Sequence, residues 1–201
     1  MKTTSVPNVL AWVLISLCSA NAFADQQSEA RQAAAKEALK EVISEITARQ
    51  KEAVEANGLD GAMKVCQEIA PGVLNRASIK TGWRITRVGT RARNPRTGLP
   101  DEWEREGFEQ FRRRVIDGES LQGMTRAGVT DHSNGTKQFR FMQAIGTQDA
   151  CLSCHGPKEK LSSAWKKASA AYPHDRAADY MVGDIRGAFS IIQPMDVPLN
   201  P

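Results

Sequence analysis

The segment Cys151-Leu152-Ser153-Cys154-His155 constrains this chain more than any other. Two thiols at this spacing can add across the vinyl groups of a haem, and the adjacent imidazole then reaches the iron as an axial ligand. On this reading the chain is expected to build its fold around one covalently attached haem c. Other readings of the same residues are a redox-active or structural disulfide and half of a zinc site. Three cysteines with a distant histidine match none of the common zinc spacings. A thioredoxin-like site needs C-x-x-C at a helix start in a βαβ frame, which the residues before Cys151 do not set up.

Attachment of this kind follows export, and the start of the chain reads as an export signal. Lys2 supplies a positive n-region, Val9 to Leu17 an apolar h-region, and Ala22-Phe23-Ala24 a cleavage box before Asp25. Residues 1–24 are therefore expected to be a signal peptide whose apolar run is too short to span a bilayer comfortably. Cys18 is preceded by Leu17, where a lipidation signal wants a small residue. No later segment approaches a membrane span, so the expectation is a soluble periplasmic protein with no stable membrane insertion after cleavage.

Cleavage would leave Cys66, Cys151 and Cys154, an odd number for an oxidising compartment. With Cys151 and Cys154 taken by thioethers, Cys66 has no disulfide partner, while the iron has a second axial position to fill. Cys66 as a thiolate ligand answers both points; a buried inert cysteine is the plainer alternative. Rival ligands are Met63, Met124, Met142, Met181 and Met195, and His132 and His174, both of which sit in polar turns. The formal net charge is +4, and Lys2 is the only charged residue ahead of Asp25. Two haem propionates would offset most of the remaining excess, so nothing argues for nucleic acid as a partner.

Three parts follow: the signal peptide (1–24), an N-terminal amphipathic helix (25–57) and a haem domain (58–201). Ala35, Leu39, Val42, Ile43 and Ile46 form one apolar stripe, and Asn57-Gly58 is a stop signal. That stripe reads as a packing face; a homodimer through a short coiled coil is the sharper alternative. A second helix is predicted from about Leu59 to Ile69, stopping before Pro71, with Cys66 in its last turn beside Ala62 and Met63. Strands are expected over Trp83–Val88, Gly123–Thr130, Gln138–Ile145 and Ile185–Ile192, the middle two forming a hairpin around Asn134-Gly135. Asp101 should cap a helix to about Ile116, and a polar helical piece should lie around Leu161–Ala171. Consecutive antiparallel strands with helices to one side make the fold class α+β.

Five ordered stretches carry a family resemblance: Val65-Cys66-Gln67-Glu68-Ile69-Ala70-Pro71; Arg93-Asn94-Pro95 with Trp103-Glu104; Cys151 to Gly156; Tyr172-Pro173-x-Asp175-x-Ala177; and Gly183-Asp184-Ile185-Arg186-Gly187-Ala188. From about Leu59 to Gln193 the chain resembles a family of single-haem c-type domains, formerly of unknown function, with a PAS-like α+β fold. The resemblance implies that His155 and Cys66 hold the iron. The family often has a Thr-Ser or similar pair where this chain has Val88-Gly89, so no role is carried over there. Arg93 and Arg186 are candidate propionate partners, because a guanidinium pairs bidentately with a carboxylate; surface solvation is the alternative for both.

Chemistry follows from such ligands. A thiolate stabilises ferric iron and so lowers the reduction potential relative to His/Met ligation. A six-coordinate iron leaves no free position for a substrate, which leans away from an enzyme. The leading expectation is a low-potential electron carrier or redox sensor with an unidentified redox partner protein. The alternative is a sensor of nitric oxide or carbon monoxide that reports to a partner, an analogy at the level of the fold. A sulfur-compound enzyme is weaker, since such enzymes usually employ a second haem.

Overall fold

Runs of consecutive buried residues, Phe139 to Met142 and Gly187 to Ile191, give this chain central strands with two buried faces. The computed structural model describes residues 10–199; the Lys2 n-region lies outside them. In chain order the elements are α1 (Leu10–Lys64), a π-helical turn (Val65–Ile69), α2 (Ala70–Thr81), β1 (Arg84–Gly89), α3 (Pro95–Gly98), α4 (Glu102–Ile116), β2 (Thr125–Asp131), β3 (Lys137–Gly146), α5 (Leu152–His155), α6 (Ser163–Ser169) and β4 (Ile185–Pro194). The four strands form one antiparallel sheet in the order β1-β4-β3-β2. The last strand thus inserts between the first and third, and only β2–β3 is a hairpin of neighbours.

The register puts Ile85 and Phe141 on either side of Ile191, all facing α1 and α2. Val88, Met142 and Ala188 point the other way, onto Phe108 and Phe111 of α4. Helices therefore cover both faces rather than one. The sequence reading missed this because α4 is largely charged and shows only a thin apolar face. Gly107 permits its close approach: a Cβ there would lie 2.7 Å from the Met142 sulfur. Asp101 caps α4 reciprocally, accepting from Glu104 N–H at 2.9 Å while the Glu104 carboxylate accepts from Asp101 N–H at 2.8 Å. Glu104 is buried and also takes a 2.6 Å bond from Ser190 and a 3.3 Å ion pair from Arg140.

The stripe of α1 meets its own sheet. Ala35, Leu39, Val42 and Ile46 are buried with Phe139, Phe141 and Ile191, so this face is occupied within the chain. Arg31, only 2 % exposed, fastens the helix by donating to Gln193 Oε1 (3.2 Å) and the carbonyls of Met195 (3.0 Å) and Val197 (3.1 Å). α1 kinks where the stop signal stands: Asn57 leaves the helix and Gly58 adopts φ +59°, a conformation that favours glycine.

Beyond the kink the helix does not stop at Ile69. It widens into the π-turn, with Ala70 N–H donating to Val65 O, and continues as α2 with Pro71 in the first turn. Proline is tolerated there because the first N–H groups of a helix need no intrahelical partner. Gly82, at φ +71°, closes α2 by donating to Ser78 O at 2.9 Å. Among the described residues no helix is long and apolar enough to cross a membrane.

Candidate functional site

Between α2, β1 and the segments around His155 and Arg186 lies a cleft of about 550 Å³, in the size range of cofactor sites. Cys66 reaches it from the π-turn, Leu74 from α2, Arg87 from β1, Arg93 from the loop after β1, and His155 from α5. A π-turn inserts one residue into a helix and re-aims those after it, a device found at functional sites. Here it carries Cys66.

The Cys-x-x-Cys-His segment is short and held from outside. Tyr180 N–H donates to His155 O and Asp179 N–H to Gly156 O, both at 2.9 Å, while Thr147 and Asp184 bond through their backbones at 2.9 Å. Gly156 is needed for closeness: a Cβ there would lie 2.7 Å from Leu152 O. These bonds align residues 147–156 along residues 179–184, on the edge of the cleft.

His155 is oriented by its backbone neighbour. Its Nδ1 lies 2.7 Å from Ala177 O. A carbonyl only accepts, so Nδ1 carries the proton and Nε2 keeps its lone pair. Arg186 donates to that Nε2 at 3.3 Å. Burial, then the positive Arg186 and Arg93, push the His155 pKa down to about 3. The imidazole is thus neutral near pH 7, the state in which it ligates metal.

A relay of bonds fixes Ala177 in turn. Asp175 Oδ1 accepts from Ala177 N–H at 2.7 Å, and Oδ2 pairs with Arg93 Nε at 2.9 Å. Arg93 also donates to Cys154 O at 3.1 Å. Arg93 therefore ties the loop after β1 to both the cysteine segment and the Tyr172–Ala177 stretch.

Cys66, Cys151 and Cys154 form no disulfide with one another. Burial raises the Cys154 pKa, and its sulfur lies 3.7 Å from Met63 Sδ. Gln148 N–H approaches the Cys151 sulfur at 3.5 Å. Cys66 and His155 line the same cleft, and Cys154 stands next to His155 in the chain. Most rival ligands lie elsewhere. Met124 and Met142 are buried on the α4 face, Met195 packs on the helix-side core, and Met181 is 70 % exposed. His132 bonds Asn134 in an exposed turn, and His174 is exposed. Among the described residues no three His, Cys, Asp or Glu side chains gather as a metal site.

Two residues escaped the sequence reading. Tyr180, 1 % exposed, stands edge-on to the His155 ring at 6.3 Å between centroids. Its hydroxyl accepts from Arg91 N–H (3.0 Å) and donates to Arg186 O (3.2 Å), joining the loop after β1 to the start of β4. Arg87 follows Ile85 on the cleft-facing side of β1; the Ile85-x-Arg87 alternation was its only trace. The donor set fits a porphyrin iron: one neutral imidazole whose Nε2 lone pair faces only the mobile end of Arg186, one thiol in the same cleft, two further thiols, and cations along the lining.

No curated protein matches the chain significantly. Among solved structures, the chain is similar to one titled the crystal structure of the cyanobacterial heme-protein Tll0287. The TM-score is 0.57 and the identity 18 %, with 80 % of this chain and 94 % of that one covered. Residues 19–194 match the family model described as Tll0287-like, and the chain belongs to the Tll0287-like family.

Proposed function

We propose that this chain is a periplasmic, single-haem c-type protein that carries or senses electrons at low potential through a separate redox partner protein. The observation that carries the reading is the Nδ1–H of His155 bonded to Ala177 O, which leaves Nε2 as a ligand in a cleft that Cys66 shares. The family and the haem-protein title of the similar structure support a haem. The flanked antiparallel sheet agrees with the PAS-like architecture that the resemblance implies.

In this reading Cys151 and Cys154 would hold the haem covalently, and His155 and Cys66 would ligate its iron. The bound haem supplies a one-electron iron couple. Ala177 O fixes the imidazole tautomer and raises its basicity. Cys66, as thiolate, favours ferric iron and sets a low potential. Arg93 locks the backbone at Cys154.

The test is the electron paramagnetic resonance spectrum of the ferric protein matured with haem-attachment machinery. A low-spin signal of the thiolate type, lost in Cys66→Ser, supports the reading. A high-spin signal shifts it to a nitric oxide or carbon monoxide sensor, for which the irregular π-turn at Cys66 would be the releasing element. Absence of haem overturns both.

A further inference from the structure

Five arginines and no aspartate or glutamate line the cleft: Arg84, Arg87, Arg91, Arg93 and Arg186 are the cations. Such a wall repels itself, and part-buried like charges are a standing penalty until an anion arrives. Three of the five are accounted for. Arg84 is exposed. Arg91 donates to the carbonyls of Ala178 (2.6 Å) and Asp179 (2.7 Å) and lies over the Tyr180 ring. Arg93 is neutralised by Asp175.

Arg87 and Arg186 remain. Arg87 sits mid-strand in β1 opposite Phe189, on the face it shares with buried Ile85, so its side chain enters the cleft. It makes no ion pair among the described residues. Arg186 reaches only the His155 ring with its side chain, and its Nε is buried without a partner. Arg87 feels the positive Arg186 and Arg93, and burial lowers its pKa. We infer that Arg87 and Arg186 form the carboxylate clamp for the two haem propionates, while Arg93 is a positioning residue for the cysteine segment. The inference rests on the haem reading and reassigns Arg93 within it. A guanidinium fork suits a carboxylate that must be held at a fixed angle.

Resonance Raman spectra of the haem-loaded protein test the clamp through its propionate-bending bands. Arg87→Gln should move one band to lower frequency, Arg87→Lys should move it less, and Arg93→Gln should leave both in place. Unshifted bands in Arg87→Gln overturn the clamp; a changed thiolate signal in that case would make Arg87 a countercharge for Cys66 instead. Should Arg87→Gln fail to load haem, the full haem-free chain is titrated with protoporphyrin IX and its dimethyl ester. The unsubstituted chain should prefer the diacid, and Arg87→Gln should lose about tenfold of that preference, the effect of one charge-assisted bond. Equal preference in both chains overturns the clamp. An unsubstituted chain that loads no haem and binds neither porphyrin sinks the haem reading itself, and the clamp with it.

Discussion

Replacing Arg93 by glutamine should break the relay that aims His155. Arg93 and Asp175 are 16 % and 4 % exposed and 2.9 Å apart, so neither charge is well solvated without the other. Removing one partner of a buried pair costs about 3–5 kcal/mol; the residual exposure of Arg93 places the loss near the lower figure, ~3 kcal/mol. For a chain of this size each kcal/mol is worth about 2–4 °C, so the melting temperature should fall by roughly 6–12 °C. Asp175→Asn keeps an acceptor for Ala177 N–H but loses the charge, and the double variant should recover about 1–3 kcal/mol of the summed single losses. Thermal melts followed by circular dichroism, with denaturant titrations, give both numbers. The Cys154 carbonyl loses its donor too, so the yield of haem-loaded protein should drop in parallel. Strictly additive losses, or an Arg93→Gln melt within a degree or so of the parent, would refute the relay.

Other perturbations probe separate parts of the fold. Arg31→Met should cost about 2–4 kcal/mol, because it leaves the Gln193 amide oxygen and two carbonyls without their donor; a denaturant midpoint equal to the parent's would show that α1 is held by its apolar stripe alone. Gly187→Ala should cost about 2 kcal/mol or more, since its Cβ would overlap the Val88 carbonyl, a backbone group that cannot swing aside; an unchanged melt would mean β1 and β4 separate there at little cost. The haem-free chain should lose stability on acidification. His155 stays neutral down to about pH 3 when folded and protonates near 6.5 when unfolded, so the unfolded state binds the extra proton. Across that window each pH unit should cost up to about 1.4 kcal/mol. Urea midpoints from pH 7 to 4 measure this, and a slope unchanged in His155→Gln would exclude the imidazole as its source.

Features that depend on a few neighbouring residues were legible in the sequence. Cys151 to His155 had the spacing of a haem segment, Asn57-Gly58 stood as a stop signal where α1 kinks, and Asp101 announced the start of α4. Strand positions followed from alternation to within a few residues. Each of these rests on backbone preferences or spacings set within one or two turns of chain. Pro71 shows where local signals fail. A proline ordinarily ends a helix, but here it falls on the first turn of a new one, and the π-turn before it became visible only in the backbone. The covering of the second sheet face, the insertion of β4 beside β1, the role of Asp175 in aiming Ala177 O, and the isolation of Arg87 among cations were decided by tertiary structure. Arg93 and Arg87 are the same residue type six positions apart, and only a carboxylate 82 residues from Arg93 separates their roles. Local chemistry is written in spacing; which charges meet, and which stay unpaired, depends on the contacts made between residues far apart in the chain.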